Sequence, residues 1–299
     1  MKKTASKIIV LPVPTAKQTT KSKVVGLAFA QENAYNQQET AQTNPNQPKT
    51  VVQKSNLPFK PVSQTLNENK QPAKLLKISN PHLKQFLGNV EIKEKQSLAI
   101  TLDSGEGGGK THTAFQFAGE TANNGYKTIV WSLEEHAESN LSKQKQQKYF
   151  SDYAKQNVSV VSEDSELTAE ENYKRIVDSV KYYDVIVIDS WAKVLELKGT
   201  ANFDQEFRKA FDGKIFLIIF QRTADGKMRG GAKGGFDADI VLKVEVDRAD
   251  FRNNYVYNHK NRYNEYMPIS DLKYSPYYQK LMPKQTATNQ IVLQAPQMY

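Results

Sequence analysis

The sequence predicts an α/β domain, a mainly parallel β-sheet covered by helices on both faces. Three observations carry this. Short apolar, β-branched runs recur from about residue 97: "SLAITL", "KTIVWSL" (127–133), "VSVVS" (158–162), "DVIVID" (184–189), "KIFLIIF" (214–220) and "DIVLKVEV" (239–246). They are close to continuously apolar, the pattern of strands buried on both faces. Helix-like segments such as "KTHTAFQFAGETAN" and "TAEENYKRIVDSVKYY" lie between several of them, and that alternation winds into a parallel sheet.

The first 75 residues belong to none of this. Residues 1–80 hold twelve Lys and three Glu, while 81–299 hold 29 residues of each charge, so the whole formal charge of +9 sits at the start of the chain. Stretches such as "NAYNQQETAQTNPNQPK" have too little apolar periodicity to offset chain entropy. Residues 1–75 are expected to form a disordered basic Gln/Asn/Pro-rich tail: a solubilising linker, a tether for nucleic acid or a docking peptide. The opening "MKKTASKIIVLPVP" has an apolar run that is short and broken by two prolines, which argues against export. No apolar run approaches membrane-spanning length. With no cysteine, disulfides and thiolate metal sites are excluded. The expectation is a cytoplasmic protein without membrane contact, with a folded domain over 76–275 and a second tail over 276–299.

The first strand, "LAITL", runs into "SGEGGGKT" and then a helix, "KTHTAFQFA". A glycine loop between strand and helix turns several backbone N–H groups toward one point, and the helix N-terminus adds positive potential there. Ser104, Gly105, Glu106, Gly107, Gly108 and Gly109 would cradle phosphates, Lys110 would reach the β- and γ-phosphates, and the Thr111 hydroxyl would hold Mg²⁺. His112 closes the stretch and is given no chemistry. Ser104 stands where the phosphate-loop pattern usually opens with glycine. The fourth run ends in Asp189, an acid at the tip of a buried strand, where magnesium needs carboxylate help. Together the two motifs point to ATP with Mg²⁺. After the second run, Glu134 stands nearest the strand end and is the candidate base that polarises water for in-line attack. Glu135 reads as the start of the next helix.

The segment 168–183 places Tyr173, Ile176, Val177 and Val180 at helical spacing, giving one buried face, and Glu170 and Glu171 suit the positive end of its dipole. "NNYVYNHKNRYNEY" (253–266) reads as a hairpin-type strand pair at the sheet edge. Trp131 and Trp191 read as core or rim. Tyr274, Tyr277 and Tyr278 read as anchors for the C-terminal segment. The loop "RTADGKMRGGAKGGFD" has five glycines and the cations Arg222, Lys227, Arg229 and Lys233. Basic residues on glycine-rich backbone suit a phosphodiester chain, or form a solvated surface loop. With no aromatic platform interleaved in the loop, backbone contact without base reading is expected.

Across residues 85–268 the chain resembles the RecA-like ATPases, especially the RadA type and the DnaB-type replicative helicases. The resemblance is carried by "IVWSLEEHAES", "VIVIDS" followed by "WAKV", "IIFQRTADGKMRGGAKGGFDADIVLKVEV" and "HKNRYN". It implies a homo-oligomer, a hexameric ring or a filament, with ATP at the subunit boundary. Lys260 and Arg262 would then act in trans on the neighbour's γ-phosphate; without the resemblance they read equally as charges guarding an edge strand. Gln221 would sense the γ-phosphate and relay it to the loop of Arg222, Lys227, Arg229 and Lys233, which would hold single-stranded DNA without sequence preference. RadA proteins carry a four-cysteine zinc module and a protease-like domain, and DnaB-type helicases a folded N-terminal domain; none of these is expected here. The function implied is an ATP-hydrolysing motor in DNA replication, recombination or repair, with a single-stranded-DNA-dependent helicase as one form of it. The alternatives are a nucleotide-dependent adaptor with little hydrolysis, or a small-molecule kinase.

Overall fold

A computed structural model of the 299-residue chain describes residues 58–62, 66, 72–222 and 238–282. The compact unit that carries the sheet is the subject below. Lys227, Arg229 and Lys233 lie outside the described residues, as does most of the expected N-terminal tail.

Each apolar run of the sequence becomes a strand: β1 (Leu98–Ser104), β2 (Thr128–Ser132), β3 (Val158–Val161), β4 (Val185–Asp189), β5 (Ile215–Gln221) and β6 (Ile240–Glu245). They pair in parallel in the order β3-β2-β4-β5-β1-β6, and the sheet then continues with antiparallel β7 (Tyr255–Asn261), β8 (Lys273–Ser275) and β9 (Lys280–Leu281). Strand β5 therefore separates β1 from β4, so the glycine loop and Asp189 do not sit on neighbouring strands.

The sheet buries a separate apolar cluster on each face. One holds Ile100, Leu102, Phe115, Phe117, Tyr149 and Phe150 and is roofed by α1 (Pro81–Leu87), α2 (Lys110–Asn123), α3 (Asn140–Tyr149) and α4 (Asp152–Lys155). The other holds Ala99, Trp131, Ile176, Trp191, Val194, Phe207 and Phe216 and is roofed by α5 (Ala169–Ser179) and α6 (Trp191–Leu197). Strand alternation explains the split, since even residues of β1 face the first cluster and odd ones the second. Tyr173, Ile176 and Val180 are buried as their spacing requires, with Val177 packed beside them. Helix α5 begins with a reciprocal capping box between Thr168 and Glu171, which satisfies two orphan N–H groups. Trp131 is buried and donates its indole N–H to Ser179 Oγ at 3.1 Å.

One expectation is corrected. The segment 253–266 is not a hairpin at the edge: residues 255–261 form the single strand β7, enclosed between β6 and β8. Its alternation suited an edge, but the edge is taken by β9. Pairing also occurs beside the expected limits of 76–275: Leu75 bridges Glu91, and β9 pairs with β8 while Leu281 packs on the core.

Candidate nucleotide site

The C-terminal ends of β1, β2, β4 and β5 meet at one rim, the place where parallel sheets present ligand sites. A cavity of about 640 Å³ opens there, lined by Glu106–His112, Glu134, Lys145, Lys148, Tyr149, Gln221, Phe251, Asn254, Pro276 and Tyr277.

The loop is built as phosphate contact requires. Gly107 and Gly109 have φ of 73° and 82°, a left-handed backbone that glycine adopts without strain. Gly108 is forced by space: a Cβ there would collide with Ser104 Oγ. Asn254, buried, donates from its amide to Gly107 O at 3.0 Å and pins the loop from the far strands. Helix α2 starts at Lys110 after Gly109 with no side-chain cap, so its first N–H groups remain available to an anion. Ser104 at the opening position is fully buried and its hydroxyl turns to Gly105 O at 2.8 Å, so the departure from glycine is accommodated.

Lys110 Nζ donates to Gly105 O at 2.8 Å and Ser104 O at 3.3 Å. Burial lowers its pKa, and Glu134, Asp189, Asp103 and Glu106 oppose that shift. Thr111 Oγ1 donates to Asp189 Oδ2 at 2.7 Å, which joins the two motifs that the sequence kept 78 residues apart. Asp189 is buried, its Oδ1 has no hydrogen-bond partner, and desolvation pushes its pKa up to about 6. A buried carboxylate oxygen without a partner, beside a threonine hydroxyl, is the donor set a hydrated magnesium ion takes. The residues present therefore fit Mg²⁺ with a triphosphate.

Glu134 is exposed to the cavity, and Gln221 donates from its amide to Glu134 Oε1 at 2.6 Å. Glu135 is instead tied to Ser139 Oγ at 2.8 Å and ion-paired with Lys145. That division separates the residue facing the cavity from the one that anchors α3. His112 Nδ1 lies 2.8 Å from Tyr149 Oη, and burial, then Lys145 and Lys148, lowers its pKa below the usual imidazole value.

Three expected residues lie elsewhere. Lys260 and Arg262 stand at the opposite end of the sheet: Asn261 pairs with Ile240, which pairs with Ile100, four residues before Ser104. At roughly 3.3 Å per residue, that is about 13 Å from the loop's start. Lys260 Nζ donates to Ala238 O at 2.6 Å, and Arg262, exposed, lies 3.7 Å from buried Asp239. Neither lines the cavity of its own chain. Arg222 is drawn back to the sheet, where its Nε donates to buried Asp103 at 2.8 Å.

The sequence reading missed Lys145, Lys148, Tyr149, Phe251, Asn254 and Pro276 as cavity residues, and took Tyr277 only as an anchor. Phe251 and Tyr277 are exposed and meet edge to face, with centroids 5.2 Å apart, at the cavity mouth. They come from segments more than 130 residues after the loop, and no local spacing announces them.

No family model matches the chain, and no curated protein matches it. Among solved structures it is similar to a KaiC-like protein from the hyperthermophilic archaeon Pyrococcus horikoshii, with a TM-score of 0.51 and 19% identity, covering 71% of this chain and 100% of that one. It is also similar to the flagellar accessory protein FlaH from Methanocaldococcus jannaschii, with a TM-score of 0.52 and 15% identity, covering 68% of this chain and 95% of that one. At such identities the likeness is one of fold and does not single out a RadA or DnaB type. The chain has a RecA-like α/β fold, a mostly parallel sheet flanked by helices.

Proposed function

We propose that this protein is an ATP hydrolase that uses Mg²⁺, works as a homo-oligomer and acts on DNA. The observation that carries the reading is the convergence of Lys110, Thr111, Asp189, Glu134 and Gln221 on one cavity rim. Thr111 and Asp189 would hold Mg²⁺, which would supply screening of the charge on the transferring phosphoryl group. The glycine-loop amides and Lys110 hold the β- and γ-phosphates. Glu134 accepts the proton of the attacking water, and Gln221, bonded to Glu134, orients that carboxylate and registers whether the γ-phosphate is there.

Among the described residues lining the cavity, the cations from outside the loop are Lys145 and Lys148, of which Lys145 is engaged by Glu135. The exposed guanidinium of Arg262, at the other end of the sheet, suits service in trans, with Lys260 beside it. A ring or filament of head-to-tail subunits would carry it to the next subunit's phosphate and couple turnover to assembly. The basic segment of Arg222, Lys227, Arg229 and Lys233 supports DNA as the partner. A role in replication, recombination or repair, with strand separation as one form of the work, follows from that partner.

The test is phosphate release from Mg·ATP by the full chain, with and without oligo(dT). Turnover that oligo(dT) raises severalfold is the expected result. No nucleotide binding overturns the reading altogether, and binding with a flat, near-zero rate reduces it to a nucleotide-dependent adaptor.

A further inference from the structure

Among the described residues, no helix roofs one stretch of the sheet. Helices α5 and α6 cover the second face from β2 to β1 and the start of β6, with Val241 as the outermost β6 side chain in that cluster. Beyond it, the same face continues over β6, β7 and β8. Register places Lys243 opposite Tyr257, Glu245 opposite Tyr255, and Tyr257 opposite Lys273. The alternate residues Leu242, Val244, Val256 and Tyr274 point to the other face and are buried. Lys243, Tyr255, Tyr257 and Lys273 are thus only half-buried, and Glu245 and His259 are exposed.

This face has aromatic rings with cations between them. The Tyr255 and Tyr257 rings lie 6.2 Å apart, inclined at 55°, and Lys273 Nζ sits 4.4 Å from the Tyr255 ring centroid. Arg222 borders the face, with its charge met by Asp103. Burial, then the cations Lys243 and Arg222, lowers the pKa of His259, so at neutral pH it offers an uncharged ring. Tyrosine ordinarily earns its place on a strand by packing against cross-strand neighbours. Here the residues opposite Tyr255 and Tyr257 are Glu245, Lys243 and Lys273, and no apolar side chain crosses from the neighbouring strands to cover the rings.

We propose that the open face of β6, β7 and β8 is a binding platform for single-stranded nucleic acid. Bases stack on Tyr255 and Tyr257, His259 extends the row, and Lys243 and Lys273 meet the phosphates. A π-face accepts any base, so the platform does not read sequence. Two carboxylates border the face: Glu245 lies at its end nearest the glycine loop, where the strand would leave, and Asp103 is met by Arg222. The chain's basic segment begins at Arg222, on the border of this platform. The proposal rests on the DNA partner put forward above and supplies the stacking surface that the loop's sequence lacks.

The experiment is fluorescence anisotropy of labelled oligo(dT) and oligo(U) with the full chain, alongside ATP turnover without nucleic acid. Tyr255→Ala and Tyr257→Ala should each weaken oligonucleotide binding by roughly tenfold, the loss of one stacked base, while leaving basal turnover unchanged. Tyr257→Phe should bind as wild type. Lys243→Gln should reduce the slope of log affinity against log salt by about 0.7, the release of one counterion from a single strand. In wild-type protein, a 5-bromouracil oligonucleotide should crosslink to the peptide holding Tyr255 and Tyr257. Crosslinks confined to other peptides, or wild-type affinity in Tyr255→Ala/Tyr257→Ala, overturn the platform. So does a change of oligomeric state in that double variant with unchanged affinity, because the face would then belong to a second copy. If the protein turns over ATP but binds no oligonucleotide, the platform falls and the ATP site stands.

Discussion

Lys110 lies among four carboxylates, those of Glu134, Asp189, Asp103 and Glu106, and holds two loop carbonyls until phosphate replaces them. Lys110→Ala removes the only loop cation and should abolish turnover and most nucleotide affinity, read by ATP hydrolysis and by titration calorimetry. Glu134→Gln keeps the shape and the Gln221 contact but cannot take a proton. Turnover should fall by about 10²- to 10⁴-fold with nucleotide affinity nearly unchanged; a matching loss of both would remove Glu134 from the chemistry. Asp189 has the reverse balance of function and stability. Burial raises its carboxyl from 3.8 to about 6, so the free protein bears a charge disfavoured by ~3 kcal/mol at neutral pH. The sign is that of a raised acid: its stabilising contribution is complete below pH 4 and is lost as pH rises through about 6. Asp189→Asn should therefore raise Tm at pH 7.5 in EDTA, show little difference from wild type at pH 4, and lose the extra stability that Mg·ATP gives the wild-type chain. A lower Tm at pH 7.5 would contradict the desolvation argument.

Among the elements, the contact between α2 and α3 positions one wall of the cavity. Gly119 in α2 is where the chains come closest: a Cβ would collide with Tyr149 O and press on the Phe150 ring, which stacks on Phe115 at 5.5 Å. Both partners are backbone or buried ring, so neither yields cheaply. Gly119→Ala gains helix propensity yet should cost about 1–3 kcal/mol through overpacking, seen as a lower urea midpoint, and should displace Tyr149 and His112 from the cavity. A stabilised variant would mean that α3 moves freely. The lesson for reading sequence lies in the same pair. Nothing local marks the glycine at 119 in its helical run, whereas the glycines at 107 and 109 stand in the loop pattern, because a turn needs a local backbone shape and a close approach needs a distant partner.

On the scale of the whole molecule, the sheet has its nucleotide rim at one end and Arg262 at the other. Arg262→Ala should leave nucleotide affinity within about twofold and slow hydrolysis by about 10³-fold or more, the scale of a cation supplied in trans. Mixing it with Glu134→Gln gives a sharper reading. A mixed assembly can bring an intact Glu134 site against an intact Arg262, so two inactive proteins should together regain part of the wild-type rate. No recovery, with mixed assembly verified by mass spectrometry, would mean that Arg262 does not act across a boundary. Asp239, buried and bonded to Lys93 at 2.6 Å, holds the Arg262 end in place and ties it to the segment before β1.

What the sequence determined by itself was the strand set and the local residues on which the proposed chemistry rests: apolar runs long enough to be buried strands, the loop with Lys110 and Thr111, and acids at strand tips in Asp189 and Glu134. These follow from neighbours along the chain. Only the tertiary structure decided that Thr111 bonds Asp189, that Gln221 bonds Glu134 and not Glu135, that Arg222 turns back to Asp103, and that β7 lies inside the sheet. It also decided which side of β7 has no helix over it among the described residues, leaving Tyr255 and Tyr257 half-buried. Each of those depends on strand order and helix coverage, which arise from packing between residues tens to hundreds of positions apart, and no spacing within the chain encodes them.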